Sequence, residues 1–284
     1  MAQTLTGRAA LVTGAAGGFG RVLTRALLES GAQVLASDVS QAGLAALEAD
    51  LASAGLAERL TVRTLDISMS GACAEAVADL HRRCGSVDIL INNGAMGMQS
   101  FRADHLTNLV SIDEITPDIW NKFVAVNLSG AWYLTKAAQP HMKAKGWGRI
   151  INVTTSFFTM LRGRFHPYGP IKAGLEAMSA GHAAEFASDG ITVNVVVPGG
   201  PSDTDMVPKE APYARQDLIQ PAQMVAPILW LCSDAGGEVT GSRFVAANWD
   251  ASLPVAEARA ASEAPIAWPD LAGTPVWPGG KPNE

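Results

Sequence analysis

Ala9-Ala10-Leu11-Val12-Thr13-Gly14-Ala15-Ala16-Gly17-Gly18-Phe19-Gly20 is the stretch that decides the fold of this chain. Its first four residues are apolar without interruption and read as a short strand buried on both faces. The glycines that follow let the backbone turn tightly and come close to a pyrophosphate at the start of the next helix. That helix is predicted from about Arg21 to Ser30, with Val22, Leu23, Ala26 and Leu27 on its apolar side and Gly31 as its stop. A glycine pattern alone carries little weight; placed between a strand and a helix it carries much more.

Working outward, the pattern repeats. Ala32–Ser37 reads as a strand ending at Asp38, Gln41–Ala54 as a helix, Leu60–Leu65 as a strand ending at Asp66, and the Cys73–Cys84 region as a helix. Val87–Ile91 is a further strand, running into Asn92-Asn93-Gly94-Ala95. Strands alternating with helices predict an α/β fold, a Rossmann-like doubly wound parallel sheet. We read residues 1–250 as a single dinucleotide-binding domain and 251–284 as a Pro-rich extension carrying Trp268 and Trp277. Asp38 comes eighteen residues after Gly20, at the end of the second strand. A carboxylate there can accept from both ribose hydroxyls of NAD and would repel the 2′-phosphate of NADP. No Lys or Arg lies inside the glycine loop or directly follows Asp38, so NAD is the expected cofactor. The plainer alternative for Asp38 is a strand-end turn residue.

Composition narrows the class further. The chain has 284 residues, 48% of them hydrophobic, ample for a large core, and its net charge of −6 leaves no footprint for nucleic acid or an anionic membrane. Cys73, Cys84 and Cys232 are odd in number and lack metal-ligand spacing, which predicts reduced thiols in a cytoplasmic protein. Met1–Arg8 has no basic segment followed by an apolar run, so no signal peptide is expected, and Ala9–Val12 is far too short to span a membrane. The five histidines form no ligand cluster, and no metal is expected.

Ile150-Ile151-Asn152-Val153 reads as another buried strand, followed by the hydroxyls Thr154-Thr155-Ser156 and, after a loop, by Tyr168-Gly169-Pro170-Ile171-Lys172. Residues four apart share one face of a helix, and Pro170 suits only a first helical turn. Tyr168 and Lys172 are therefore placed at a helix mouth near the strand end. An ammonium beside a phenol favours the phenolate. Bringing a tyrosine from ~10 to ~7 takes roughly 4 kcal/mol of differential stabilisation and would make it a general acid or base at neutral pH. Taken alone, such a pair is more often a surface accident.

With the glycine loop, the Asn-Asn-Gly-Ala turn and the Tyr-x-x-x-Lys pair in this order, the chain resembles a short-chain dehydrogenase/reductase from about Leu5 to Asn248. The family's Thr-Gly-x-x-x-Gly-x-Gly loop matches Thr13, Gly14, Gly18 and Gly20, with Phe19 inside it. The resemblance implies that Asp66, with Ile67 beside it, flanks the adenine. It also implies that Asn93 and Gly94 line the cofactor site, although the family's Asn-Asn-Ala-Gly is here Asn-Asn-Gly-Ala. Asn127 matches the catalytic asparagine, whose implied role is to hold a water linking Lys172 to solvent. An asparagine inside a stretch otherwise helical from Trp120 to Ala138 is unfavourable by propensity, mildly in keeping with such a role. The family's serine falls by spacing at Thr155 and by chemistry at Ser156, serine being the usual residue and freer to rotate than a β-branched one; the two stay open, and Thr154 is disfavoured. Gly190–Val197 reads as a strand ending at Pro198-Gly199-Gly200-Pro201-Ser202-Asp203-Thr204, where Pro198 and Thr204 match the segment at the nicotinamide end, one residue longer here than usual. Ile228–Cys232 reads as a helix end and Arg243–Ala247 as the last strand.

Two regions exceed the family plan. The loop from Ala95 to Pro117 carries Met96, Met98, Phe101 and Leu106 and leaves the sheet at the ligand edge. The tail from about Ala251 could cover this chain's site, cover a neighbour's, or stay disordered. Between the hydroxyls and Tyr168 lie Phe157, Phe158, Met160, Arg162, Arg164 and His166. Apolar bulk there fits a ring-bearing substrate; the arginines read first as surface or subunit contacts, and second as binders of a carboxylate or phenolate. Ala173, Ala177, Ala180 and Ala184 recur along the predicted Tyr168 helix, which in the family packs on its twin, implying a homodimer or homotetramer. The expected activity is reversible hydride transfer between NAD and a secondary alcohol or ketone. The alternatives are an NADP-dependent carbonyl reductase with the same residues and, more remotely, a non-catalytic NAD-binding regulatory protein.

Overall fold

The computed structural model describes residues 4–209 and 211–271. Eight strands form one sheet: β1 (Ala9–Thr13), β2 (Gln33–Asp38), β3 (Leu60–Thr64), β4 (Ile89–Asn92), β5 (Gly148–Val153), β6 (Ile191–Val197), β7 (Ser242–Val245) and β8 (Glu263–Pro265). Their spatial order is β3-β2-β1-β4-β5-β6-β7-β8. Neighbours from β3 through β7 pair in parallel, and β8 closes the edge antiparallel to β7. The order reverses at β1, which opens a crevice beyond the carboxyl ends of β1 and β4, where such sheets bind ligands.

Alternation along the strands explains why helices cover both faces. Ala10, Val12, Val34, Ala36, Ile89 and Ile91 point into one apolar layer. Their neighbours Ala9, Leu11, Leu35 and Leu90 point into the other. The first layer is completed by α1 (Gly18–Glu29), α2 (Gln41–Ser53) and α8 (Val225–Cys232). The second is completed chiefly by α3 (Ser70–Cys84) and α5 (Gly130–Lys145). The remaining helices are α4 (Pro117–Val124), α6 (Phe157–Leu161), α7 (Tyr168–Glu185) and α9 (Val255–Ser262). Among the described residues no helix is long and apolar enough to cross a membrane.

Three differences from the sequence reading bear on the site. Helix α1 begins at Gly18 rather than Arg21, because Gly18 and Gly20 belong to its first turn. A Cβ on Gly20 would lie 2.0 Å from the Gly14 carbonyl oxygen, so only glycine lets the loop close this tightly on the helix. The segment after the hydroxyls is not a plain loop: α6 occupies its first half, capped by Ser156, whose Oγ accepts from the Thr159 amide at 3.1 Å. The tail does not hang free between Ala251 and Leu271. Helix α9 leads into β8, which extends the sheet, and Ile266 is buried against Val195 and Val197. Trp277 lies outside the described residues.

Candidate functional site

The glycine loop and the turn after β4 are built against each other. Thr13 Oγ1 accepts from the Asn93 amide at 3.0 Å and the Gly94 amide at 2.8 Å, and donates to the Ile91 carbonyl at 3.2 Å. Asn93 Nδ2 donates to the carbonyls of Thr13 at 2.8 Å and Gly14 at 3.2 Å. Gly14 has φ +63, and a Cβ on it would stand 2.8 Å from Gly94 Cα. The Gly-Ala order at positions 94 and 95 therefore fits: a side chain at Gly94 would press on Gly14, Thr13 and Ile67 at 3.2 Å. Thr13 is the residue whose weight in this arrangement sequence reasoning underestimated.

Asp38 ends β2 with its carboxylate accepting from the Ala16 amide at 3.1 Å and the Ser40 amide at 2.9 Å. It is a turn residue and a cavity-lining residue at once. A cavity of about 380 Å³ is lined by Asp38, Val39, Asp66, Ile67, Gly94 and Lys122, among others. Lys122 was invisible as a site residue in the sequence, because only the fold brings α4 beside the ends of β2 and β3. Arg21, the first residue after the glycine loop, does not line this cavity; its guanidinium donates to the carbonyls of Ala16 and Gly43. Asp66 Oδ1 accepts from both the amide and the hydroxyl of Ser68, which holds the turn after β3.

A second cavity, of about 310 Å³, runs from the glycine loop to the tyrosine. Gly14, Gly18, Phe19, Asp38, Asn93 and Gly94 line one end; Thr155, Tyr168, Lys172, Pro198 and Thr204 line the other. Thr204 reaches back to the loop, since a Cβ on Gly18 would lie 2.6 Å from Thr204 Cγ2. The glycine cradle, the carboxylate at one end and the hydroxyls at the other fit a nicotinamide dinucleotide.

Helix α7 holds Tyr168 and Lys172, and the sheet holds α7. Asn92 Nδ2 donates to Asn152 Oδ1, Asn152 Nδ2 to Ser179 Oγ, and Ser179 Oγ to the Leu175 carbonyl, each at 2.7–2.8 Å. Lys172 is buried, its Nζ donating to the Val153 carbonyl at 2.8 Å and lying 5.9 Å from the Tyr168 ring centroid. Here one expectation is corrected. Burial pushes the Tyr168 phenol up to about 12 and the Lys172 ammonium down to about 8. In the protein by itself the cost of placing a phenolate in a low-dielectric cavity outweighs the help from the lysine.

The lysine shift has a stability consequence. Between pH 8 and 10 the unfolded chain holds its Lys172 proton more than the folded one does, so stability rises with pH there. Wild type is expected to gain on Lys172→Met across that window, by at most roughly 1.4 kcal/mol per pH unit. Urea unfolding of both proteins at several pH values checks this; parallel pH profiles would contradict it.

The two hydroxyl candidates are placed differently. Thr155 lines the cavity of Tyr168 and Lys172, and among the described residues its Oγ1 has no hydrogen-bond partner. Ser156 Oγ is occupied as the α6 cap and bonds Thr159 Oγ1 at 2.9 Å. Thr154 is buried and donates to Glu176 Oε2 at 2.8 Å. Asn127 sits in a single π-helical turn, Ala125–Ser129, between α4 and α5, a distortion frequent at functional sites. Its side chain pairs with one backbone unit: Oδ1 accepts from the Met96 amide at 2.7 Å, and Nδ2 donates to the Met96 carbonyl at 2.9 Å. The side chain thus anchors the long loop at Met96.

That loop, residues 95–117, folds over the mouth of the site. Met98, Val110, Phe123, Phe165 and Ile171 form a separate apolar cluster with Tyr168 on its flank. Arg102 braces the loop through Glu114 and Asn108. Beside Tyr168 opens a third cavity of about 420 Å³, lined in part by His105, Thr155, Phe158, Arg162, Phe165 and Met206.

Behind the hydroxyls lies a buried ion pair that sequence reasoning missed. Glu176, two helical turns from Tyr168 on α7, meets Arg243 of β7 at 2.8 Å. Arg243 also donates to the Thr155 carbonyl at 2.8 Å and stacks on Phe157 at 4.1 Å. Glu176 accepts from the Ala267 amide at 3.4 Å, and Trp268 lies 5.6 Å from Phe157, so the tail is tied to the same cluster. The only sequence signals were two charges within otherwise apolar segments.

A sheet with its switch point at β1, a glycine cradle and a Tyr-Lys pair in one crevice define a dinucleotide-binding oxidoreductase. Residues 8–214 match the short chain dehydrogenase family. The chain is 32% identical to 3-oxoacyl-(acyl-carrier-protein) reductase of Vibrio harveyi, over 84% of this chain and 95% of the relative. It is 30% identical to cis-4-hydroxycyclohexanecarboxylate dehydrogenase of Sinomonas cyclohexanicum, over 85% and 96%. A crystal structure of a short-chain dehydrogenase/reductase from Burkholderia xenovorans superposes with a TM-score of 0.75 at 29% identity, covering 86% of this chain and 96% of the other. The chain belongs to the short-chain dehydrogenase family, an oxidoreductase that uses a nicotinamide cofactor and a small-molecule substrate.

Proposed function

We propose that the protein is an NAD-dependent dehydrogenase that interconverts a bulky or ring-bearing secondary alcohol and its ketone. The observation that carries this reading is the single cavity joining the glycine loop and Asp38 to Thr155, Tyr168 and Lys172. Gly14, Gly18, Phe19, Gly20, Asp38, Asp66, Ile67, Asn93, Gly94, Pro198 and Thr204 would hold the cofactor. When bound there, the cofactor supplies the hydride acceptor and donor. Tyr168 takes the hydroxyl proton in oxidation and returns it in reduction. Thr155 Oγ1, free of other bonds among the described residues, orients the substrate oxygen toward that phenol. Lys172 stays mostly protonated at pH 7 with its shift to about 8, and favours the phenolate when the proton moves. Asn127 supports the relay by fixing the loop at Met96 and leaves water-holding to main-chain atoms. The aromatic lining of the third cavity favours bulk in the substrate.

Asp38 favours NAD, since both cavities that reach it meet its carboxylate, and Arg21 nearby is tied to two carbonyls. The relatives include reductases of other substrates, so the cofactor is the first thing to test. NADH is expected to bind at least about tenfold more tightly than NADPH in fluorescence titrations, and Asp38→Ala is expected to erase most of that difference. Preferential binding of NADPH by the wild type would replace this reading with a carbonyl reductase.

The hydroxyl assignment has its own test. Thr155→Ala is expected to lower kcat at least about tenfold with little change in cofactor affinity. Ser156→Ala is expected to leave kcat within about twofold while costing about 1 kcal/mol of stability as a lost helix cap. The reverse pattern in steady-state kinetics would move the role to Ser156. A homodimer or homotetramer is part of the same proposal: Ala177, Gly181 and Ala184 are exposed along α7, where a second copy's helix can approach closely.

A further inference from the structure

Five arginines surround the mouth of the site, and three are matched by acids. Arg102 pairs with Glu114, Arg215 with Asp203, and Arg243 with Glu176. Arg164 is exposed, has no ion pair among the described residues, and does not line the third cavity. Arg162 differs. It follows directly on α6, is half-buried, and lines the third cavity together with Tyr168. Among the described residues it has no carboxylate partner, and no Asp or Glu lines that cavity.

The guanidinium is held by aromatic rings instead of by an acid. Arg162 Cζ lies 5.4 Å from the Phe165 ring centroid and 5.8 Å from that of Phe158. Phe165 stands edge-on to Tyr168 with centroids 6.1 Å apart. Contacts with ring faces orient a guanidinium but leave its N–H donors unused. The other basic group in the lining, His105, is buried, and burial lowers its pKa, so it adds no second cation at neutral pH. A cavity of about 420 Å³ with one cation, aromatic walls and, among the described residues, no anion is complementary to a ring that bears a negative group.

We propose that the substrate carries a carboxylate, which Arg162 binds while the carbinol carbon faces Tyr168. This rests on the third cavity being the substrate side of the hydride-transfer site.

The test uses the full-length protein saturated with NADH and reads binding rather than turnover. Benzoate and its neutral isostere benzamide are titrated while the fluorescence of bound NADH is followed, at constant ionic strength, in wild type, Arg162→Gln and Arg162→Lys. Benzoate is expected to bind at least about tenfold more tightly than benzamide to the wild type, as expected for a charge-assisted contact. Arg162→Gln should abolish the preference, and Arg162→Lys should retain part of it. Equal binding of the two ligands, a preference that survives in Arg162→Gln, or no binding of either at millimolar concentration would each overturn the proposal. Cofactor binding is scored separately in the same samples, because the NADH signal itself reports whether the cofactor site is occupied.

Discussion

Replacing Tyr168 with phenylalanine is expected to lower kcat by about 10²–10⁴-fold, the range of a lost general acid–base group. The ring stays. Phe165 keeps its edge-on partner and the apolar cluster keeps its flank, so the fold and NADH affinity should change little. What disappears is the oxygen that carries the proton. Burial holds that phenol at about 12 in the protein alone, and Lys172 beside it has itself been pushed down to about 8. The pair is therefore poor at holding a phenolate until further positive charge arrives in the cavity. Wild-type oxidation should accordingly rise with pH, whereas the residual rate of the variant should lose that dependence. Steady-state rates across pH, with NADH titration as the control for binding, measure both. Near-full turnover in Tyr168→Phe would refute the mechanism.

Truncating Glu176 is expected to have the largest effect on stability. The carboxylate is fully buried and is matched by Arg243, Thr154 and the Ala267 amide. Glu176→Ala would leave the Arg243 cation in the core without its acid, a situation that typically costs about 3–5 kcal/mol. For a chain of this size that corresponds to roughly 10 °C in Tm. Replacing both residues with apolar ones of similar volume should recover much of the loss, because a well-packed apolar pair is often as stable as a buried ion pair. A loss under about 1 kcal/mol in Glu176→Ala, measured by urea unfolding, would show that the cluster does not act as a unit. The double replacement should still depress kcat, since Arg243 also holds the Thr155 carbonyl at 2.8 Å.

Much of this site was legible in one dimension because its chemistry is local. The glycine loop must join a strand to a helix within a few residues, and only glycine tolerates the 2.0 Å approach at Gly20. Tyr168 and Lys172 share a helix face through their spacing alone. Asp38 and Asp66 stand at strand ends that the apolar pattern marks. The choice between Thr155 and Ser156 was not legible. It turns on α6, a five-residue helix that takes the Ser156 hydroxyl as its cap. Asn127 was legible as a residue, but its contact with Met96 was not, since Met96 comes beside it only when the long loop folds back.

The sequence by itself determined the doubly wound sheet, the position of the crevice and the pairing of Tyr168 with Lys172, because each follows from periodicity or from residues within a turn of one another. Tertiary structure decided the rest. It set the direction of the Tyr168 shift, which depends on how much water the surrounding elements exclude. It paired Glu176 with Arg243 across 67 residues and built the tail into the sheet as β8. It also left Arg162 as the cation without an acid among the described residues that line the cavity beside Tyr168. Burial and long-range charge pairing are properties of the packed chain, and no local pattern encodes them.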